Sequence, residues 1–234
     1  MFAFVSSGAW QVKTHGFVAY NRSARLRRAR ATGESVPLLA LFPLDVVLFP
    51  GTSLPLHVFE PRYKEMIGEC LANHVCFGVV RALERGIAEI GCTAEIVAVT
   101  KKYSDGRLDL VAEGRERFEV LELNHERSFL RAEVMTIPDE PGRAEQAHAE
   151  RAIKLHREIL TLAGAAQDLP EAGLLSFHLA GSLPLELDFK QKLLVTRSEG
   201  ERMQALAAHL ESILPGLRRA ARAREKAGGN GHVP

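Results

Sequence analysis

The sequence predicts an α+β protein, with a β-rich front half arranged as a barrel and a helical back half. Three observations support this prediction. Short apolar runs separated by Pro and Gly, which are typical of strands, begin at Leu38. The dipeptide Asp105-Gly106 supplies residues that tolerate a positive φ in a tight hairpin. After the loop at 138–142, the spacing of apolar residues changes to the three and four positions of helices.

The strand predictions follow the apolar runs of the front half. They cover residues 38–44, 46–49, 54–59, 75–82, 91–103, 108–112, 118–123 and 129–137. Alternation in the fifth run predicts one shared face for Ala94, Ile96, Ala98 and Thr100. A helix beginning at Pro61 carries an apolar stripe formed by Tyr63, Met66, Ile67, Cys70 and Leu71. One helix beside about six or more strands is a pattern typical of a closed barrel.

Four helices are predicted in the back half, from apolar stripes and from residues that favour helix N-termini. The first carries an apolar stripe from Ala149 to Ala163, and Pro170 opens the second. Asp188 can cap a short helix that runs through Val195. The segment Ser198–Glu201 has the form of a capping box for the last helix, which we expect to stop near Pro215-Gly216.

The two ends of the chain differ from its body in charge. The first 33 residues hold six basic side chains and no acid, while residues 218–226 hold five basic side chains and one acid. We expect residues 1–35 to be either a disordered basic extension or the product of a start assigned too far upstream. We expect residues 218–234 to be a flexible basic tail. Between them, residues 36–138 form the predicted β-rich lobe and residues 143–217 the predicted helical lobe.

Composition and charge exclude several classes of protein. Apolar residues make up 46% of the chain and charged residues 25%, the averages of soluble globular proteins. No apolar run approaches the roughly 20 residues of a membrane-spanning helix, so we expect no membrane contact. The net charge of +1 leaves −5 outside the basic N-terminal segment, which makes nucleic acid an unfavoured partner. Three cysteines without a CxxC pair predict reduced thiols and a cytoplasmic location.

Several segments resemble the N-terminal substrate-binding domain of Lon proteases. Residues 41–51 (LFPLDVVLFPG) and 54–63 (LPLHVFEPRY) resemble its opening signature, and residues 108–118 (LDLVAEGRERF) are similar to its VEGxxR hairpin. Residues 183–194 (LPLELDFKQKLL) resemble the segment that begins its last helices. The resemblance extends from about residue 36 to residue 217. It implies a PUA-like β-barrel lobe followed by an α-helical lobe, with a role in holding unfolded or tagged polypeptides.

The chain lacks the motifs of the catalytic parts of Lon proteases. No Gly-x-x-x-x-Gly-Lys-Ser/Thr loop is present, so we expect a member of the family without the ATPase or protease domain. His148-Ala149-Glu150 matches part of a zinc-deaminase motif without its Cys ligands. His156 and His178 lie on apolar helix stripes, as packed histidines do, and Ser182 lacks a nucleophile elbow. We therefore predict no catalytic residue, no metal site and no cofactor.

Two proline-containing turns are the candidate binding sites for a peptide or partner. The first is the loop Phe49, Pro50, Gly51 and Thr52, and the second is the turn with Glu60, Arg62 and Tyr63. A module that binds extended chains needs preorganised apolar groups beside strand edges, and prolines hold such groups rigidly. The alternative is that these aromatic rings fill the interior of the barrel.

The predicted function is non-catalytic binding of unfolded or apolar client polypeptides, or of a partner such as a protease or chaperone. Binding to a protease or chaperone would make the protein an adaptor in protein quality control. The alternative is an RNA-binding PUA-like module, which the interleaving of Lys101 and Arg107 with Asp105 and Asp109 disfavours. A composite enzyme site built from distant residues is a third interpretation. The sequence predicts no particular oligomeric state.

Overall fold

The computed structural model of the protein describes residues 36–142, 144–165 and 174–228. Its chain divides into two compact units. The first contains the chain up to Pro138 together with Leu185–Val195, and the second contains Asp139–Pro184 and the chain from Thr196 onwards. Across the described ranges, no helix combines the length and apolarity needed to cross a membrane.

Strands dominate the first unit and helices the second, which confirms the α+β class. In chain order the elements are β1 (Leu38–Leu44), β2 (Ser53–Val58), α1 (Pro61–Asn73), β3 (Phe77–Arg81), β4 (Ile90–Lys102), β5 (Leu108–Asn124), β6 (Arg131–Thr136), α2 (Gln146–Leu162), α3 (Leu175–Gly181), α4 (Leu187–Val195) and α5 (Glu199–Gly228). The predicted helix start at Pro170 lies outside the described residues.

The sheet closes on itself to form the predicted barrel. Its strands follow the order β2-β5-β4-β3-β1-β6, and β5 also pairs with β6. Strands β5, β4, β3, β1 and β6 therefore make a closed ring, with β2 paired to the first half of β5 outside it. The β1–β3 pairing is parallel, and the other strand pairings are antiparallel.

Helix α1 packs against the barrel core through its apolar stripe. Tyr63, Met66, Ile67 and Cys70 are buried, as the spacing predicts. The Tyr63 ring stacks on Phe42 of β1 with 4.1 Å between the ring centroids. This contact joins the helix to the same apolar cluster that β2, β3, β4 and β5 line.

The segment that contains Gly114 is a continuous strand. The prediction of separate strands at 108–112 and 118–123 is wrong, because β5 runs unbroken from Leu108 to Asn124 and includes both. A Cβ on Gly114 would lie 2.1 Å from the carbonyl oxygen of Phe49, so only glycine admits the neighbouring loop here. Residues 46–49, also predicted as a strand, belong to that loop.

Bulges in β4 change the face on which its side chains lie. The pairing of β4 with β5 shifts register between Ile96 and Ala98, and again between Val99 and Lys101. Each shift adds an unopposed residue and reverses the alternation. Ala98 and Thr100 are consequently exposed, contrary to the predicted shared face, whereas Val99 packs against the core.

Helix α4 packs with the β-strands rather than with the other helices. Gln191 Nε2 donates to the Ile90 carbonyl at 2.9 Å, and Arg117 Nη1 donates to the Leu194 carbonyl at 2.9 Å. Arg81 also pairs with Asp188 at 2.6 Å. These bonds explain why Leu185–Val195 belongs to the first unit, although the sequence places it in a helical lobe at 143–217.

In the second unit, α2 and α5 lie side by side and run in the same direction. Arg151 of α2 pairs with Glu211 of α5, and Glu158 pairs with Arg218. The two ion pairs are seven residues apart on both helices and follow in the same order, so the helices are parallel. Their facing stripes are buried and contain Ala152, His156, Ile159, Met203, Leu206, Ala207, Leu210 and Leu214.

Helix α5 continues well past its predicted end. It passes through Pro215 and reaches Gly228, so the predicted helix end near Pro215-Gly216 is wrong, and the predicted tail from residue 218 begins as helix. Pro215 removes a single N–H, the one that would bond to the carbonyl of Glu211. The Ala, Arg, Glu and Lys residues that follow are strong helix formers and offset that loss. The remainder of the predicted tail, 229–234, lies outside the described residues.

Candidate functional site

The predicted binding loop at Phe49–Thr52 packs onto the barrel. Phe49 is 1% exposed, and its carbonyl accepts a 2.8 Å hydrogen bond from Thr52 Oγ1. Gly51 has a φ of 73° and donates through its N–H to the Gly114 carbonyl at 2.8 Å. The Phe49 ring is therefore inside the protein, and a role for this loop in binding stays a prediction.

The second predicted site, at Glu60, Arg62 and Tyr63, forms the start of α1. The Glu60 carbonyl accepts from the N–H of Tyr63 at 3.0 Å, and the Glu60 carboxylate accepts from Arg62 Nε at 2.9 Å. The Arg62 guanidinium lies 4.6 Å from the centroid of the Tyr63 ring. Burial raises the pKa of Tyr63 to about 12, so the phenol stays neutral at physiological pH. These contacts give the three residues structural roles beside any binding role.

Arg62 and Tyr63 line a small surface pocket together with the β5–β6 connection. The pocket has a volume of about 90 Å³, and its other lining residues are His125, Arg127, Ser128, Phe129 and Leu130. Arg127 pairs with Glu65 and Glu69 of α1. Hydrogen bonds from Ser128 and Arg127 hold the pKa of Glu65 below its usual range. Both arginines of the pocket already have carboxylate partners, so the pocket does not favour an anionic ligand.

An exposed apolar patch on the outside of the barrel was not predicted from the sequence. Pro55 of β2 and Ala98 of β4 both pair with Val111 of β5, so the three residues lie in one row on the outer face. Val97 occupies the adjacent bulge and is 47% exposed. We call Pro55, Val97, Ala98 and Val111 the outer patch. Exposed apolar patches of this kind mark binding surfaces more often than isolated apolar residues do.

An aromatic cluster borders the outer patch. His57, Phe59 and Tyr103 meet there, with the His57 centroid 5.9 Å from Phe59 and 5.8 Å from Tyr103. Asp109 holds the cluster in place: Tyr103 Oη donates to it at 2.8 Å, and His57 Nδ1 lies 2.5 Å from its carboxylate. These two hydrogen bonds lower the pKa of Asp109. Phe59 remains 40% exposed, so the cluster adds fixed aromatic surface next to the patch.

A partly buried Ser–His pair in the second unit is arranged as a structural contact rather than as a nucleophile and base. His156 Nε2 lies 2.7 Å from Ser182 Oγ, and that hydroxyl donates its proton to the Leu179 carbonyl at 2.9 Å. Because the hydroxyl proton is committed, His156 acts as the donor to Ser182. Burial lowers the pKa of His156, which favours the neutral ring. The imidazole in this arrangement cannot accept the Ser182 proton.

The cysteines lie in settings that suppress ionisation. Burial raises the pKa of Cys70 to about 11 and that of Cys92 to about 12. Burial also raises the pKa of the half-buried Cys76. Within the described part of the chain, no group of three or more His, Cys, Asp or Glu side chains is arranged to hold a metal ion.

The described residues form an α+β protein with a closed barrel and a helical unit, and comparison with known proteins identifies the family. Residues 38–212 match the family described as the ATP-dependent protease La (LON) substrate-binding domain. The chain belongs to this family.

Relatives in the family are full-length Lon proteases. The Lon protease of Buchnera aphidicola subsp. Baizongia pistaciae is 28% identical over 195 residues, which are 76% of this chain and 25% of that protein. Lon protease 2 of Myxococcus xanthus is 32% identical over 193 residues, 73% of this chain and 23% of that protein. The chain thus spans about a quarter of the length of these relatives.

Solved structures of the same domain share the fold. A Lon N-terminal domain protein from Xanthomonas campestris superposes with a TM-score of 0.60 at 29% identity, covering 74% of this chain and 98% of that one. The N-terminal domain of the Mycobacterium avium complex Lon protease has a TM-score of 0.55 at 16% identity, covering 75% and 98%. The second likeness concerns the fold alone.

Proposed function

We propose that this protein binds unfolded or apolar polypeptide segments on the outer patch and the aromatic cluster beside it. The observation that carries the proposal is the exposure of Val97 in β4 and of Phe59 just after β2, 47% and 40%, beside the outer-face row of paired strand residues. Membership in a family of Lon substrate-binding domains supports polypeptide as the ligand. Preorganised apolar surface reduces the entropy lost on binding, because the sheet orders these side chains beforehand.

The charges around the outer patch support polypeptide rather than RNA. Arg115 pairs with Glu95 and Glu113, and Arg107 pairs with Asp105. Cations that are already paired with carboxylates give no continuous track for phosphates. The outer face of the barrel therefore offers apolar contact as its main attraction.

The test is binding of a fluorescently labelled, permanently unfolded polypeptide, followed by anisotropy. Val97→Asp places a charge in the outer patch and should weaken binding at least tenfold, since a bound apolar segment would desolvate that charge. Phe59→Ser should weaken it less, because it removes only the aromatic border. Both side chains are exposed, so we expect little loss of stability.

The matched control is Val195→Asp, the same substitution at a valine that is 46% exposed at the end of α4, a helix that contacts β4 at Ile90 and β5 at Arg117 rather than at the outer patch. It should bind the polypeptide as the unmodified protein does. Equal weakening by Val195→Asp and Val97→Asp, or no weakening by Val97→Asp with the fold intact, would show that the outer patch is not the binding surface.

We further propose that the bound segments are handed to a protease or chaperone, which would make the protein an adaptor in the cytoplasm. The support is the family's link to proteolysis and the three free thiols. Addition of the purified protein should accelerate degradation of an unfolded substrate by its cognate protease, and the Val97→Asp variant should not. Unchanged degradation with the unmodified protein would count against the adaptor role.

A further inference from the structure

We infer that the C-terminal part of α5, residues 216–224, is a binding surface for the phosphate backbone of nucleic acid. This inference is separate from the proposed polypeptide binding, which uses the first unit. It arises from the finding that α5 continues through Pro215, because the continued helix places the arginines of this segment on a regular scaffold.

This part of α5 is exposed and basic. Every residue from 215 to 224 is exposed except Ala221, which is half-buried. The exposed residues include Arg218, Arg219, Arg222 and Arg224. Within the described ranges, Arg218 is the one of the four with an ion pair, to Glu158 of α2. Arg219, Arg222 and Arg224 therefore supply three positive charges for a ligand.

The parallel packing of α2 and α5 determines which part of this segment lies beside α2. Glu158 lies level with Arg218, so Leu162, the last residue of α2, lies level with residue 222. Helix α5 continues to Gly228, about 9 Å further at 1.5 Å per residue. Arg222 and Arg224 thus lie at and beyond the end of α2, whereas Arg218 and Arg219 lie beside its last turn.

The density of charge matches a polyphosphate. The three arginines without an ion pair among the described residues, between positions 219 and 224, give one positive charge per roughly 2–3 Å of helix, and duplex DNA carries one negative charge per about 1.7 Å of its axis. The planar guanidinium of each arginine can bind two phosphate oxygens at once. Leu217, 37% exposed, is the one large apolar residue from 216 to 224, fewer than amphipathic helices use to enter membranes. Phosphate backbone is the partner that this combination favours.

The experiment titrates the full-length protein into a labelled 20-nucleotide single strand and the corresponding duplex, at several KCl concentrations, with anisotropy as the readout. Three phosphate contacts predict that log Kobs falls with log[KCl] with a slope of about −2 to −3. The triple variant Arg219→Gln, Arg222→Gln and Arg224→Gln should weaken binding at least tenfold and bring the slope near zero. Glutamine is a good helix former, and circular dichroism verifies that the helix persists.

The control removes the same number of charges from other exposed positions: Arg85→Gln, Lys154→Gln and Arg157→Gln. This control and the Val97→Asp variant should both bind DNA within twofold of the unmodified protein. Undiminished binding by the α5 triple variant, or equal loss in the control, would overturn the inference. Tighter binding to polyglutamate or to phosphatidylserine vesicles than to both oligonucleotides would also overturn it, in favour of an acidic protein or a membrane.

Discussion

Replacing Arg202 with alanine should destabilise the second unit by about 3–5 kcal/mol, the usual loss when one partner of a buried ion pair is removed. Arg202 is 0% exposed. Its guanidinium donates to both carboxylate oxygens of Asp139, at 3.0 and 2.9 Å, and to Glu199 Oε2 at 2.7 Å. It also donates to the Thr196 carbonyl at 2.7 Å and lies 4.3 Å from the centroid of the Phe177 ring.

The size of the loss follows from what the alanine variant leaves behind. The Asp139 and Glu199 side chains are only 21% and 13% exposed, so two largely desolvated carboxylates would lose their common cation. Asp139 and Thr196 are also the first residues of the two chain segments that make up the second unit. Arg202 thus forms hydrogen bonds with the first residue of each segment and holds the two segments together.

Urea unfolding followed by far-UV circular dichroism measures the effect, because the second unit is helical. Arg151→Ala is the control: its ion pair with Glu211 is exposed, 56% and 39%, and should contribute less than about 1 kcal/mol. Arg202→Lys should lie between the two, since an ammonium group cannot reproduce the paired contacts to Asp139. A loss below about 1 kcal/mol for Arg202→Ala would refute the view that these charges are desolvated in the folded protein.

Two further predictions concern other buried positions. Gly114→Ala should lower stability by about 1–3 kcal/mol, since its Cβ would meet the Phe49 carbonyl oxygen at 2.1 Å, whereas Gly68→Ala, with nothing within 4 Å, should raise it by about 0.5–1 kcal/mol. Similar thermal midpoints for the two variants would contradict this difference. The buried His156 has a folded-state pKa below its unfolded value near 6.5, so the unfolded chain binds more protons as the pH falls through this range. Stability should therefore be complete above about pH 7 and decline below it, and a urea midpoint measured from pH 8 to pH 5 should vary less in His156→Gln.

The elements with an uninterrupted apolar pattern were predictable. The run at 38–44 and the stripe that begins at Pro61 each have a single period, so β1 and α1 match their predictions closely. Interruptions of the period were not predictable. The bulge at Val97 depends on pairing with β5, and the continuation of α5 past Pro215 depends on the helix formers on both sides of the proline. Local pattern contains no information about that pairing, and a Pro-Gly stop signal does not show that the residues after it offset the lost hydrogen bond.

The candidate site was harder to predict because residue type does not determine exposure. Phe49 and Phe59 lie in similar apolar, proline-flanked segments, yet Phe49 is 1% exposed and Phe59 is 40% exposed. Phe49 is buried because Gly114 of β5 has no side chain, which lets the Phe49 loop pack closely against the strand. The outer patch depends on strand register, since only pairing brings Pro55 and Ala98 to the same residue of β5. Arg202 carries no sequence signal that separates it from exposed arginines of the same helix.

The dimensions of the outer patch limit how tightly it can bind a polypeptide. A segment that covered roughly 250 Å² of apolar surface on the patch and Phe59 would gain about 6 kcal/mol, at about 25 cal/mol per Å². That gain alone corresponds to a dissociation constant of about 40 μM, and loss of translational and rotational freedom opposes it, so a single segment should bind more weakly than this. Such weak, largely apolar contact depends little on the sequence of the client. A chain that exposes several apolar segments would rebind before it diffused away, so the protein should favour unfolded clients over folded proteins with isolated exposed residues.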